Sequence, residues 1–147
     1  MTTLEQAREA FENAQAMRSP LLMAERFSKG EWKRARHLAV IDFEFRNLLN
    51  DPNLDILIVK CPVRHGKSEY LAHWAPAWFL LRNPYSKIIL CTNTATLANN
   101  HSRWVRDKVH ELSPMMGLAG VDPTNSAVKN WRLEKTHGSC LAAGVEG

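Results

Sequence analysis

An α/β fold is what this sequence predicts, and three observations predict it. Leu54-Asp55-Ile56-Leu57-Ile58-Val59 is an apolar, β-branched run of strand length. Cys61-Pro62-Val63-Arg64-His65-Gly66-Lys67-Ser68 follows it as a tight loop and opens a segment that reads as helix. Lys87-Ile88-Ile89-Leu90-Cys91-Thr92 is a second strand-like run, and the connection from 54–60 to 87–92 is long enough for a right-handed crossover helix. Strands and helices in alternation around a tight loop form the pattern of an α/β domain.

Residues 3–17, rich in Ala, Glu and Gln, read as a helix with Leu4, Ala7, Phe11 and Ala14 on one face. Thr3 is the expected cap, with Gln6 completing a capping-box pattern. Ser19-Pro20 marks a boundary, and a short helix follows over 21–27, ending near Gly30. The stretch from Lys29 to Arg36 is basic with one tryptophan; a solvated helix entrance accounts for it better than contact with a DNA backbone. Leu38, Ile41, Phe45, Leu48 and Leu49 recur at helical spacing and predict an amphipathic helix over 38–49. Asp51-Pro52-Asn53 ends it and turns the chain into the strand of 54–60.

After the loop, residues 69–82 read as helix, with a kink or break expected at Pro76, and Asn83-Pro84-Tyr85 closes it. The strand of 87–92 is apolar on both faces and is expected at the centre of a parallel sheet. A helix follows over 94–112, with Leu97, His101, Val105, Val109 and Leu112 facing inward. Residues 113–127 read as loop, and 131–136 with 139–143 read as a β-hairpin turning at His137-Gly138.

The 147 residues have room for one domain with a real core and not for two of ordinary size. A hydrophobic content of 45% with 23% charged residues is that of a globular chain rather than a disordered one. No apolar run approaches the ~18–20 residues that span a bilayer, and no secretory signal is visible at the start, so no membrane partner is expected. Cys61, Cys91 and Cys140 are odd in number and form no Cys-x-x-Cys pair, which argues against a disulfide framework or zinc ribbon and for reduced thiols. The net charge of +4 is compatible with a nucleic-acid partner without requiring one.

The chemistry of the loop is that of a phosphate cradle. A strand, a loop ending Gly-Lys-Ser and a helix make the context of a Walker A element. Successive backbone N–H groups of such a loop point at phosphate oxygens. Gly66 permits close backbone approach, Lys67 reaches the β- and γ-phosphates, and Ser68 offers an oxygen to Mg²⁺. Cys61 stands where the strict pattern has its first glycine.

Pro62-Val63-Arg64-His65-Gly66-Lys67-Ser68-Glu69 resembles the Walker A variant of the large terminase subunits of tailed bacteriophages, in which the first glycine is often replaced. The resemblance continues through residues 78–90 with their Asn83-Pro84 turn, through 98–106, and through 142–147 as a Gly-rich turn ahead of a Walker B strand. It covers about residues 37–147 and implies a P-loop NTPase-type three-layer sheet with mainly parallel strands, preceded by a helical extension over 1–36. No apolar strand ending in acidic residues follows the turn, so the resemblance implies an ATPase domain truncated before Walker B and without a nuclease domain.

By that resemblance the chain is the ATP-binding part of a viral DNA-packaging motor, which when complete couples ATP hydrolysis to DNA translocation into the capsid. Its cofactors would be ATP and Mg²⁺. Its partners would be double-stranded viral DNA, the small terminase subunit, the portal protein and further copies of itself, in the cytoplasm of the bacterial host. Residues 62–69 would bind nucleotide, Ser68 the metal, and Arg64 and Lys67 would be catalytic, with Arg64 sensing the γ-phosphate in cis. The plainer alternative for Arg64 is a surface ion pair. Glu69 reads as a dipole-stabilising residue of the first helical turn and His65 as a spacer. His37 stands near the place of an adenine-contacting residue, or is simply a polar helix end. His73, His101, Trp74, Trp78 and Trp104 read as packing residues, and Arg103, Arg106 and Lys108 as a solvated face. The alternative to the motor reading is a catalytically inactive nucleotide-binding or interaction remnant from a decayed prophage; a small P-loop kinase is disfavoured, because no acceptor lid or acidic base is visible.

Overall fold

The computed structural model describes residues 2–146, so Met1 and Gly147, which the expected divisions 1–36 and 37–147 include, lie outside the described residues. Two compact units form, one ending at Tyr70 and the other beginning at Leu71. No helix among the described residues is long and apolar enough to cross a membrane.

The first unit is helical. Helix α1 (Thr3–Ala16) is capped one residue earlier than the sequence suggests: Thr2 Oγ1 accepts from the Glu5 N–H, and the Glu5 carboxylate accepts from the Thr2 N–H. Its apolar stripe is left open, with Leu4 80% exposed. Helix α2 (Pro20–Phe27) starts with proline at its first position, where a missing N–H costs nothing, and Ser19 Oγ caps it by accepting from Leu22 N–H at 3.2 Å. Arg26 of α2 pairs with Glu12 of α1 at 2.9 Å. Helix α3 (Arg36–Asn50) bears out the amphipathic pattern in part: Leu38 and Ile41 are buried, Phe45 and Leu48 half-buried and Leu49 exposed, and it also buries Asp42.

Asp42 is the polar centre of this unit. It is 3% exposed. Its Oδ1 accepts from the Leu21 N–H at 3.0 Å and from the Tyr70 hydroxyl at 2.9 Å, and its Oδ2 accepts from Arg46 Nε–H at 3.0 Å. A buried carboxylate persists only with its acceptor sites filled, and here three donors from separate parts of the unit fill them. Phe45 packs edge-on against the Tyr70 ring at 6.3 Å.

Residues 54–60 correct the expectation of a strand, because they join no sheet. The run is apolar in composition, yet Ile56 and Ile58 are 77% and 76% exposed. β-Branched residues favour an extended backbone, but a strand also needs a neighbour to complete its ladder. The crossover from this run to 87–92 therefore does not form within a sheet.

Helical structure resumes as α4 (Lys67–Glu69), a π-helical stretch Tyr70–Trp74 and α5 (Ala75–Arg82). The expected break falls at Pro76, the second residue of α5, where the absent N–H interrupts the ladder just after the π turn.

The second unit contains a four-stranded mixed sheet, in the order β1-β4-β3-β2, formed by β1 (Lys87–Thr92), β2 (Val121–Ala127), β3 (Asn130–Leu133) and β4 (Ser139–Gly144). Only β1 and β4 are parallel; β4 with β3 and β3 with β2 are antiparallel. The sheet is thus α/β but not mainly parallel, and β1 lies at an edge rather than at the centre. Edge placement agrees with its alternating burial, Leu90 inward and Ile89 outward. The hairpin of β3 and β4 has Trp131 opposite Cys140. Left-handed backbone in its turn falls on Lys135 and His137, while Gly138 is required for a different reason. A Cβ there would lie 2.3 Å from the Pro84 carbonyl oxygen. Strand β2, read from sequence as loop, is short of apolar residues and pairs irregularly with β3.

Helix α6 (Ala95–Leu112), capped by Thr94, packs against β4 and β1. Val105, Val109 and Leu112 are buried as expected, whereas Leu97 is exposed. Ser102 on α6 joins the helix to the sheet: its hydroxyl donates to the Val128 carbonyl at 2.6 Å and accepts from Trp131 Nε1–H at 2.9 Å. Burial beside it pushes the Cys140 thiol up to about 11. Ser102→Ala would leave the buried indole N–H unpaired and is expected to lower unfolding free energy by about 1–3 kcal/mol in urea titration.

Asp122 accepts from the Thr124 hydroxyl at 2.7 Å, the Thr124 N–H at 2.8 Å and Arg132 Nε–H at 2.8 Å, bonds that hold its carboxyl down to about 2 from the ordinary 3.8. A native value below the unfolded one stabilises the fold above about pH 4, and this contribution is lost as pH falls toward about 2. Asp122→Asn is expected to flatten that part of an acid-unfolding profile followed by tryptophan fluorescence.

Candidate functional site

The loop expected to cradle phosphate lies wholly in the first unit. Asp51 Oδ1 accepts from the Asn53 N–H at 2.9 Å and turns the chain out of α3; the extended run of 54–60 then delivers it to Cys61. Pro62, Val63, Arg64 and His65 are exposed, Gly66 caps α4, and Lys67 is its first residue. Gly66 has φ 75 and its carbonyl accepts from the Tyr70 N–H at 2.9 Å. The left-handed backbone favours glycine there, and a Cβ would come within 3.3 Å of Leu38 Cδ1, which would have to give slightly.

Arg64 is left-handed as well, with φ 62. A non-glycine residue in that region costs roughly 1–2 kcal/mol and persists only where its surroundings hold it. The carbonyls on either side of Arg64 are both engaged. His65 Nδ1 lies 2.7 Å from the Val63 carbonyl oxygen, and His37 Nε2 lies 2.7 Å from the His65 carbonyl oxygen. The two imidazoles meet edge-on with centroids 5.8 Å apart.

Apart from the His65 imidazole, the loop's backbone donors and its two cations have no protein acceptor among the described residues. Among the described residues no hydrogen bond uses a backbone N–H of residues 63–68 as donor, and no carboxylate pairs with Arg64 or Lys67. Arg64 thus forms no surface ion pair among the described residues. N–H groups without a protein acceptor among the described residues, together with an ammonium and a guanidinium, are donors of the kind that a polyphosphate accepts from. Ser68 is exposed and its hydroxyl has no partner among the described residues, which suits a metal that takes one protein oxygen and several phosphate and water oxygens. Glu69 lies in the first helical turn, where its charge favours the helix N-terminus. ATP and Mg²⁺ thus fit the residues present.

No family model, no curated protein and no solved structure matches the chain.

The remaining candidates fall in the second unit and are engaged there. His73 Nε2 and His101 Nδ1 are 2.9 Å apart, His73 stacks on Trp104 at 4.6 Å, and Trp74 meets Trp104 edge-on at 4.9 Å. Lys108 Nζ sits 5.7 Å above both indoles and pairs with Glu111 at 2.7 Å. Trp78 is buried. Arg106 bonds to the Ser126 carbonyl and to Asp107, and Arg103 to Asn100. These tryptophans pack rather than present stacking faces, and two of the three cations carry ion-pair partners. In the first unit, a cleft of about 400 Å³ is lined by Arg18, Arg34 and Arg46. Arg34 is tied to Glu25 and Arg46 to Asp42, so most of its positive charge is already matched.

What the sequence did not disclose is the support behind the loop. His37 and Leu38 reach it from α3, 28 residues away in the case of His37 and His65, and no local signal announces such a contact. Gly66→Ala is expected to lower unfolding free energy by about 1–2 kcal/mol, read as a lower midpoint in thermal denaturation, through left-handed strain and pressure on Leu38.

Proposed function

We propose that residues 62–69 bind the phosphates of Mg²⁺·ATP, and that the chain acts as the nucleotide-binding part of a viral DNA-packaging ATPase of the terminase large-subunit kind. The observation that carries the proposal is the set of loop N–H groups and two cations, Arg64 and Lys67, that have no protein partner among the described residues. The resemblance of Pro62 to Glu69 to that family's loop supplies the choice of motor over other nucleotide-binding proteins.

In this reading the N–H groups of residues 63–68 hold phosphate oxygens, and Gly66 lets the backbone come close. Lys67 sets a point charge against the β- and γ-phosphates, and Arg64 offers its planar guanidinium to the γ-phosphate. Ser68 holds the metal, which when bound neutralises charge shared by the β- and γ-phosphates. No residue of the loop is assigned as the base that activates water, so the proposal for these residues is binding and charge stabilisation.

The finer architecture belongs to the same proposal. A three-layer P-loop sheet would pair residues 54–60 and the outer side of β1 with further strands, and both present unpaired backbone and exposed isoleucines. Double-stranded DNA, the small terminase subunit, the portal protein and self-assembly in the host cytoplasm follow from the family reading alone.

Isothermal titration with Mg²⁺·ATP tests the binding claim. Lys67→Ala, which removes a side chain with no partner among the described residues, is expected to weaken binding at least about tenfold while leaving the thermal midpoint within about 1 °C. Failure of the unmodified chain to bind ATP, or equal binding by the variant, would defeat the reading.

A further inference from the structure

We infer that His37 is the positioning residue that keeps the phosphate loop in its anion-accepting shape, by donating its Nε2–H to the His65 carbonyl. The inference rests on the proposed phosphate-binding function, and it gives His37 a task other than contact with a nucleotide base.

A carbonyl oxygen can only accept, so the 2.7 Å contact requires the proton on Nε2 of His37. The same logic places a proton on Nδ1 of His65, which donates to the Val63 carbonyl at 2.7 Å. The two bonded carbonyls bracket Arg64, whose φ of 62 is the unfavourable conformation in the loop. One of the two clamps is local, because His65 reaches back only two residues. The other comes from outside the loop and ties it to α3, a helix that the unit holds firmly.

That helix grips the loop at three points. His37 bonds to the His65 carbonyl, Leu38 stands 3.3 Å from the position a Cβ would take on Gly66, and Asp42 accepts from Tyr70 just after the loop. Residues 38 and 42 are one turn apart and share a face, so the same side of α3 supports the loop's apex and its exit. With no sheet ladder on residues 54–60, this face fixes the conformation that a preceding strand would otherwise help to fix. Removing the His37 donor releases the His65 carbonyl and lets Arg64 leave its left-handed state. The N–H groups that face phosphate would then have to be reordered on binding, at the expense of affinity.

The test uses the full chain as His37→Ala, with His37→Gln restoring a side-chain N–H donor. Without ligand, trypsin cleavage after Arg64 is followed by mass spectrometry, with cleavage after Arg103 on α6 as an internal control. His37→Ala is expected to speed cleavage after Arg64 about fivefold or more, His37→Gln to return it toward the unmodified rate, and the control site to stay unchanged. Titration with magnesium tripolyphosphate and with Mg²⁺·ATP is expected to show both ligands weakened by a similar factor, about tenfold, in His37→Ala and recovered in His37→Gln. Unchanged cleavage in His37→Ala overturns the inference. So does weaker ATP binding with tripolyphosphate binding intact, which would make His37 a base contact. If the unmodified chain binds neither anion, the phosphate-binding reading fails and the role of His37 with it. If it binds both and His37→Ala binds them equally well, the inference alone fails.

Discussion

The first unit depends on one buried carboxylate. Asp42 has almost no access to water, and an uncompensated charge in that position would outweigh the burial of several apolar side chains. Its donors resolve the problem and at the same time define the geometry. The Leu21 N–H is one of the unpaired groups of the first turn of α2, so Asp42 completes a cap that Ser19 begins on Leu22. Tyr70 follows the loop of residues 61–69 directly. Burial, reinforced by the adjacent Asp42 charge, raises its phenol far above the ordinary value, so it remains a donor throughout the physiological range. Helix entry, central helix and loop exit are thus referred to a single pair of oxygen atoms.

This constraint explains how an exposed loop keeps a defined form with no ladder behind it. Residues 54–60, which lead into the loop, carry no strand hydrogen bonds among the described residues. The loop is located from the other side, by α3 beneath it and by Tyr70 after it. Arg64 and Gly66 both have positive φ, and the two are stabilised differently. At Gly66 the cost is avoided by having no side chain. At Arg64 it is met, and hydrogen bonds to the flanking carbonyls hold it.

Elements set by local periodicity were legible in the sequence. Strand β1 occupies the expected residues, α3 and α6 run within two residues of expectation, and the β3–β4 hairpin forms, with β3 ending at Leu133 rather than at the expected 136. The misreadings share a physical cause, since pairing is a property of neighbours and not of a segment. Ile56, Ile58 and Ile89 have the composition of a sheet interior, yet their exposure is decided by which strands lie beside them. Strand β2 shows the converse. Asp122, Pro123, Thr124 and Asn125 are turn formers by composition, and they are drawn into extended pairing at the sheet edge by Val121 at one end and Ser126 and Ala127 at the other. Left-handed backbone at Arg64, Lys135 and His137 was invisible for a related reason, because only glycine and asparagine advertise it.

The candidate site divides along the same line. Its chemical groups are contiguous, so eight residues were enough to name the cations, the glycine and the hydroxyl. Its support is not contiguous, and only the fold brings His37, Leu38 and Asp42 to it. The two parts meet at Arg64. Unpaired lysines and arginines are ordinary on protein surfaces, and so are solvated N–H groups. A strained arginine that is pinned through both neighbouring carbonyls and yet has no counterion among the described residues is not ordinary. Such strain relaxes readily in a surface loop unless other contacts maintain it. Here His37 and His65 maintain that shape, and the exposed Arg64 carries its charge on it.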